Sequence, residues 1–284
     1  MRRAIGQSLR IGVSAHAVSL LRISRWRGEP VTVLAEHAFA PSGEHPFDAI
    51  ANALRALLGE QLGDKSVAGW PVSIVLADDL TRMWRVVPPP GAARLADIEA
   101  AAGFRFQSLY GEAPAAWQIA GDWDAAQPFF AAAVPRALLA VLQLVAQEFK
   151  LHIVGVEPHF ITAYNRWRRG VKPGAWFGLV HDNLLTLAAI EAGGKGIRAI
   201  RALPMPTGQG ADQYWLGQTL KREALLLDMD APELLQVCGS APAAWSKATD
   251  HPAHIPCAVL DLAQQASGGG LSTMALLARG GSRA

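Results

Sequence analysis

The sequence predicts an α/β protein of two duplicated lobes, with a small α/β insertion in the first lobe. Three observations carry this prediction. A β-meander opens each half of the chain, a helical pattern follows each meander, and Gly170 and Pro173-Gly174 interrupt the chain between the halves. We therefore expect lobes at residues 1–170 and 171–284, with the insertion at about 91–150.

The two meanders are similar enough in sequence to be aligned. Residues 11–13 (Ile-Gly-Val) match residues 177–179 (Phe-Gly-Leu) at a shift of 166 positions, which is 177 minus 11. Leu20 then matches Leu187 if one residue is inserted in the turn. The match indicates two copies of one structural unit.

In the first lobe, two strand-like runs flank a short turn at residues 14–17, and a third strand follows Gly28-Glu29-Pro30. Apolar residues then recur at helical spacing over residues 47–62, behind a first-turn proline, Pro46. Two further strands are expected at residues 72–79 and 81–87. The three prolines that follow, at 88–90, predict a stiff extended connector.

The insertion and the return to the first lobe have their own patterns. Residues 92–110 favour a helix, although Gly103 weakens its middle. Residues 115–120 and 128–134 favour short strands. An amphipathic helix, a buried strand and a second helix are then expected at residues 135–150, 151–158 and 158–169.

The second lobe opens with residues 175–206, which predict two strands, a turn and a third strand. A helix over residues 214–227 and strands at 234–239 and 257–262 follow. A segment led by Gly268 favours a final helix, and residues 240–256 show no assignable pattern.

Composition narrows the functional classes. The formal net charge is +2, from 26 basic and 24 acidic residues, so nucleic acid is not a favoured partner. No apolar run is long enough for a membrane span, and the start has no signal-peptide pattern, so we expect a cytoplasmic protein. Two cysteines, Cys238 and Cys257, fit inert core thiols in a reducing compartment.

Three segments resemble the actin-like ATPase superfamily, and within it the PilM-like proteins of bacterial type IV pilus assembly. The pilus-related proteins MshI and HofM and the cytoplasmic part of the type II secretion protein GspL are similar too. The three segments are LRIGVSAHAVSLLRI, SIVLADDLTRMWRVVPPP and residues 129–167. The last is the most specific. It has a strand of small apolar residues, a helix opened by Pro-Arg, a strand ending in Glu-Pro and a further helix, in the order that PilM-like proteins share. The resemblance implies an actin-like, ribonuclease H-like duplicated fold.

The phosphate loops depart from the superfamily pattern. Nucleotide-binding members carry an acid and glycines in each hairpin turn, because the carboxylate holds metal-bound water and the glycine amides wrap phosphate. Here the first turn reads Ser14, Ala15, His16, Ala17, and the second reads Val180, His181, Asp182, Asn183, Leu184. Asp182 is present, but neither turn has a glycine. We expect no cofactor and no catalysis; the alternative is ATP with magnesium.

Three other features of the sequence each allow a functional and a purely structural interpretation. His16 and His181, in equivalent turns, would form a metal or proton site, or be hydrogen-bonded turn residues in an emptied cleft. Thr207, Gly208 and Gly210 would bind phosphate before a helix, or form an ordinary turn. A basic cluster would touch acidic lipid, or be a solvated helix end. The cluster consists of Arg166, Arg168, Arg169 and Lys172, with Trp167 among them.

The resemblance also implies a partner. In PilM the N-terminal tail of a bitopic inner-membrane protein, PilN, docks in a groove between the first lobe and its insertion. On this chain the groove would be lined by the strand at 82–88 and the helix at 94–110. The candidate residues are Arg82, Trp84, Arg85, Arg105, Phe106 and Tyr110. We therefore expect a scaffold at the inner face of the inner membrane, in a type IV pilus or type II secretion platform. The alternatives are a regulated ATPase and a relative of sugar or acetate kinases.

Overall fold

The structure is a computed structural model that describes residues 6–24, 31–40, 45, 47–62, 68–92, 94–191, 196–247, 254–260 and 271–280. The predicted turn at Gly28-Glu29-Pro30, the proline Pro46 and the glycines from Gly268 to Gly270 lie outside these residues.

The strands and helices follow the predicted order closely. The described strands are β1 (Gln7–Val13), β2 (Ala17–Ser24), β3 (Val31–Ala38), β4 (Pro71–Leu76), β5 (Arg82–Val86), β6 (Trp117–Gly121), β7 (Phe129–Pro135), β8 (His152–Pro158), β9 (Ala175–His181), β10 (Leu184–Ile190), β11 (Ile197–Pro204), β12 (Leu234–Gly239) and β13 (Cys257–Val259). The described helices are α1 (Asp48–Leu62), α2 (Leu95–Tyr110), α3 (Arg136–Glu148), α4 (His159–Trp167), α5 (Gln213–Leu226) and α6 (Thr273–Arg279).

Two five-stranded sheets share one topology, which confirms the predicted duplication. Their strand orders are β3-β2-β1-β4-β8 and β11-β10-β9-β12-β13. In each sheet an antiparallel meander supplies three strands, and two further strands add in parallel. The mixed α/β class and the actin-like two-lobed pattern are therefore present in the fold.

The register corrects the sequence alignment of the meanders. Gly12 pairs with Ser19 in the first hairpin, whereas Gly178 pairs with Leu187 in the second. If the two glycines are equivalent, the counterpart of Leu187 is Ser19, and two residues rather than one separate the copies. One inserted residue would turn every later side chain to the opposite face of the sheet. An insertion of two residues lengthens each strand of the hairpin by one residue, so each later side chain stays on the same face of the sheet.

Helices cover both faces of the first sheet. On one face, Leu9, Ile11 and Val13 of β1 pack with α1 and α3 in a continuous apolar core. On the other face, Leu277 of α6 packs against Val75 and Ala77. Ser19 Oγ donates to the carbonyl of Met274 at 2.7 Å, and the Arg10 guanidinium donates to the carbonyl of Arg279 at the end of α6. Burial lowers the pKa of Arg10, and the charge of Glu157 opposes this shift.

The insertion is a separate two-layer body that begins earlier and ends earlier than expected. Its sheet has the order β5-β7-β6, and α2 packs on one face of it. β5 starts at Arg82 and β7 ends at Pro135, so the insertion covers residues 82–135 rather than 91–150. Helix α3 belongs to the core of the first sheet, because Leu138 and Leu142 pack there.

The chain divides into two compact units at residues that differ from the expected lobe boundary. The first unit comprises residues 1–162 and 274–284, and the second comprises residues 163–273. The expected boundary followed residue 170, and the expected second lobe ran to the C-terminus. The difference at the C-terminus has a physical cause in α6, whose buried residues Ala275, Leu277 and Ala278 make their contacts in the first unit.

Candidate functional site

The first hairpin turn is closed by its own hydrogen bonds. Ser14 is fully buried, and its backbone N–H donates to the carbonyl of Ala17 at 2.9 Å. Ser14 Oγ accepts from the N–H of Ala17 at 3.1 Å and from the N–H of His16 at 3.4 Å. Two amides of this turn therefore point at a side chain of the turn itself, which leaves Ala15 and His16 as its exposed tip.

The second hairpin turn also has a two-residue tip, formed by Asp182 and Asn183. His181 is buried, and its Nε2 lies 3.2 Å from Asp182 Oδ2. Asp182 has a left-handed backbone (φ 52°), a conformation that Asp tolerates better than most residues. The carboxylate that a metal-binding loop would present lies beside the preceding histidine.

The two histidines occupy different positions in their turns. His181 belongs to the pair that closes the second hairpin, opposite Leu184, and its counterpart in the first hairpin is Ser14. His16 lies at the exposed tip, where its counterpart is Asn183. The two histidines therefore lie in equivalent turns, as expected, but at different places within them. The described residues contain no group of three or more His, Cys, Asp or Glu side chains placed to hold a metal ion.

The loop before α5 was a candidate phosphate site. Gly208–Gly210 forms a single 3₁₀ turn, and Gly208 has a left-handed backbone (φ 69°). Helix α5 starts three residues later, and its first turn is capped by Asp212, whose Oδ1 accepts from the N–H of Trp215 at 2.8 Å. A carboxylate of the chain thus occupies the position at which an anion would meet this helix.

Four of the six predicted partner residues lie on the helix-covered face of the insertion. Trp84 (2% exposed) and Phe106 (0% exposed) form its core, with ring centroids 5.2 Å apart. Tyr110 packs against both rings, and its hydroxyl donates to the carbonyl of Met83 at 2.9 Å. Arg82 stacks over the rings of Tyr110 and Trp117 at 5.7 and 5.3 Å. The assignment of Trp84 and Phe106 to a binding surface is therefore corrected: they are core residues.

The remaining two candidates point elsewhere. Arg85 is half-buried on the opposite face of β5, because successive strand side chains alternate between faces. Arg105 is exposed on α2. The six residues therefore do not form one surface. Alternation along the strand predicts that Trp84 and Arg85 face opposite sides, but it does not predict which side α2 covers, since both strand faces carry arginine and apolar residues.

The face of the insertion sheet that α2 leaves uncovered has small and apolar side chains. Arg85 pairs with Phe130, and Met83 pairs with Ala132, which in turn pairs with Ala120. Val134, on the same face of β7, packs into the core of the first sheet. This open face, defined by Arg85, Phe130, Ala132 and Ala120, therefore runs outward from the first-lobe core along the insertion.

The basic cluster spans the end of α4, and the segment after the helix is held in place by a buried glutamine. Arg168–Gly170 forms a 3₁₀ turn in which both arginines are exposed. Gln236 of β12 (3% exposed) accepts from the N–H of Lys172 at 2.6 Å and donates to the carbonyl of Gly170 at 3.2 Å. Gln236 could not be recognised from the sequence, because a polar residue inside an apolar strand run does not show which backbone it will meet.

A second feature lies in the segment to which no pattern was assigned. Trp245 is fully buried, its indole N–H donates to the carbonyl of Ala211 at 2.8 Å, and its ring stacks on Trp215 at 6.1 Å. At the end of β12, Gly239 (φ 86°) leads into this segment, and a Cβ there would lie 2.1 Å from the carbonyl oxygen of Val180. Residues 240–247 thus fold against the start of α5.

Comparison with known proteins defines the class of fold. No family model matches the sequence, and no curated protein matches it. Among solved structures, a chain of a PilM–PilN type IV pilus biogenesis complex is similar with a TM-score of 0.65 and 15% identity, over 99% of this chain and 100% of that one. The fold is therefore that of the actin-like ATPases.

Two further structures share the fold. The cytoplasmic domain of EpsL, an inner membrane component of the type II secretion system of Vibrio cholerae, has a TM-score of 0.57 and 13% identity, over 95% of this chain and 92% of that one. A Bacteroides thetaiotaomicron protein with an actin-like ATPase fold and unknown function has a TM-score of 0.55 and 12% identity, over 84% of each chain. In the part of the chain that the structure describes, no helix has the length and apolarity needed to span a bilayer.

Proposed function

We propose that this chain is a scaffold of a type IV pilus or type II secretion platform at the inner face of the inner membrane, and that it binds the N-terminal tail of a bitopic partner without hydrolysing nucleotide. The likeness over the whole length to a chain of a PilM–PilN complex supports the assembly class. Fold alone does not establish function, so the proposal depends on the chemistry of the two turns.

The observation that carries the proposal is the closed first turn. Ser14 Oγ already accepts from the amides of His16 and Ala17. A phosphate would have to displace this hydroxyl from a buried position, without a glycine to let its oxygens approach the backbone. In the second turn, Asp182 Oδ2 lies beside His181 and would have to leave it to orient a metal-bound water. Neither turn is organised in advance for Mg-ATP.

We infer that the tail binds on the open face of the insertion sheet. An extended tail can lay alternate side chains over Ala120 and Ala132, whose small side chains leave room for larger ones. Arg85 and Phe130 would supply a charge and an apolar contact at the outer end. Arginine and aromatic residues are the types that contribute most to binding at interfaces.

Calorimetry with Mg-ATP tests the nucleotide part of the proposal. We expect no heat of binding at roughly millimolar ligand, whereas a Kd near about 1 μM would favour the rival function, an ATPase whose lobe closure regulates its partner. The Ser14→Gly variant frees the two amides and restores a glycine. If the closed turn is what excludes phosphate, this variant should bind Mg-ATP more tightly than the unchanged protein does.

The tail site is tested with a single-span membrane protein that copurifies with this chain. A synthetic peptide of its cytoplasmic N-terminal tail is titrated into the protein and into two charge-reversal variants. Arg85→Glu should weaken binding at least about tenfold, since a buried interface charge pair is worth more than about 1.4 kcal/mol. Arg94→Glu, an exposed residue just before α2, is the matched control and should leave binding unchanged. Equal binding by both variants would exclude the open face.

A further inference from the structure

The turn at residues 166–172 concentrates positive charge that the composition of the chain does not explain. The chain carries a formal net charge of only +2. Between Glu157 and Asp182, however, there is no acidic residue, and four cations fall within seven positions. They are Arg166, Arg168, Arg169 and Lys172.

The backbone of this basic turn is fixed. Gln236 ties the carbonyl of Gly170 and the N–H of Lys172 to β12, so the residues on both sides of Val171 are anchored to the second sheet. Burying an amide side chain in an apolar strand is costly unless its hydrogen bonds are made. Here the oxygen and the nitrogen of the Gln236 side chain both form hydrogen bonds with this turn. The anchored turn presents Arg168, Arg169 and Lys172 to solvent.

The turn is amphipathic at its centre. Trp167 is half-buried, and the Arg166 guanidinium lies 5.2 Å from the centroid of its ring. Tryptophan beside arginine is characteristic of the boundary between lipid headgroups and acyl chains. Favourable interaction with the helix dipole would account for cations in the last turn of α4, but Lys172 lies beyond that turn. None of the ion pairs among the described residues involves Arg168, Arg169 or Lys172.

We propose that the turn at residues 166–172 is a binding surface for a bilayer with anionic phospholipid headgroups. Arg168, Arg169 and Lys172 contact phosphate groups, and Trp167 lies at the headgroup boundary. Attraction of this kind falls off within a Debye length, so binding is reversible and weakens with salt. In the cell, this surface adds to whatever a membrane partner contributes by tethering the chain.

Vesicle cosedimentation of the isolated chain tests this surface without any partner or nucleotide. The protein should bind vesicles of phosphatidylcholine with phosphatidylglycerol, and should not bind vesicles of phosphatidylcholine alone. Arg168→Glu with Arg169→Glu should weaken binding by more than about tenfold, because four units of charge change at the surface. The matched control, Arg94→Glu with Arg198→Glu, changes the net charge by the same amount at other exposed sites. It should bind the anionic vesicles more tightly than the turn variant does.

Three results would overturn the inference. The first is an equal loss of vesicle binding in both double variants, which would indicate an effect of net charge. The second is binding to neutral vesicles. The third is tighter binding to a nucleic acid oligomer than to vesicles, dependent on the same two arginines. Arg168→Lys with Arg169→Lys should keep most of the binding, since lipid attraction depends on charge. Because the assay contains no partner, absence of vesicle binding would not count against the proposed tail binding. Absence of tail binding would likewise not count against the lipid surface.

Discussion

A Cβ placed on Gly12 would lie 2.8 Å from the backbone nitrogen of Ala278, so the central strand of the first sheet and helix α6 approach each other backbone to backbone. The same Cβ would lie 2.7 Å from Ser19 Oγ, which holds the carbonyl of Met274. Glycine in a strand interior often marks such a close approach. Gly12 is therefore what lets a helix from the end of the chain cover the first sheet.

Gly12→Ala should lower the free energy of unfolding by about 1 to 3 kcal/mol, because the helix must move away or the strand must bend. Urea denaturation followed by circular dichroism measures the change. Gly59→Ala is the control, since nothing lies within 4 Å of a Cβ there and Gly59 is in α1. That variant should be more stable by roughly 0.5 to 1 kcal/mol. A Gly12→Ala protein as stable as the parent would contradict the close packing.

Trp84→Ala and Arg85→Ala should separate the core of the insertion from its open face. Trp84→Ala removes a ring that packs against Phe106 and Tyr110, so a loss of about 3 to 5 kcal/mol is expected. Arg85→Ala should change the free energy of unfolding little while weakening tail binding. Thermal unfolding and peptide titration on both variants provide the comparison. Similar stability losses would place both residues in the core.

The Arg201–Glu223–Arg222 group should contribute more to the free energy of unfolding than the exposed Arg55–Glu148 pair does. Glu223 is 1% exposed, and its carboxylate accepts from Arg201 at 3.1 Å and from Arg222 at 3.0 Å. Arg201→Ala leaves this buried charge with one partner, and because the arginines are themselves partly exposed we expect a loss of about 1 to 2 kcal/mol. Arg55→Ala, which removes the exposed pair with Glu148, should change urea stability far less. The reverse ranking would contradict the burial of Glu223.

Both cysteines should be unreactive in the folded protein. Burial raises the pKa of Cys257 to about 12, and Cys238 is buried in β12. The thiolate is the nucleophile, so labelling with a disulfide reagent should be slow and should keep accelerating with pH beyond the usual thiol range of about 8 to 9. The raised pKa also means that stability falls as pH rises above the unfolded thiol pKa, because only the unfolded chain then loses the proton. Two thiols should react at once in denaturant; rapid labelling at neutral pH without it would contradict the prediction.

Much of the fold could be read from local patterns. Strand and helix positions follow from periodicities of two and 3.6 residues, which the sequence displays directly. The recurrence of Gly12 and Gly178 at matched places in two meanders indicated the duplication. The lack of glycine in the turns at residues 14–17 and 180–184 was likewise visible without coordinates, and it is the basis of the scaffold proposal.

Other features depended on which elements meet. Trp84 and Arg85 are neighbours with similar sequence surroundings, but α2 covers only one face of β5, so one became core and the other stayed at the surface. The alignment error of one residue in the hairpin had the same origin, since only pairing to a neighbouring strand fixes register.

By itself, the sequence determined the α/β class, the repeated meander, the order of elements and the chemistry of the turns, because each of these is encoded within a few consecutive residues. Tertiary structure alone decided that residues 274–279 return to the first sheet and that the six candidate residues lie on different surfaces. It also decided that Gln236 anchors a basic turn 66 positions before it, counting from Gly170. These are contacts between segments far apart in the chain, and local periodicity carries no information about the partner that a face will meet.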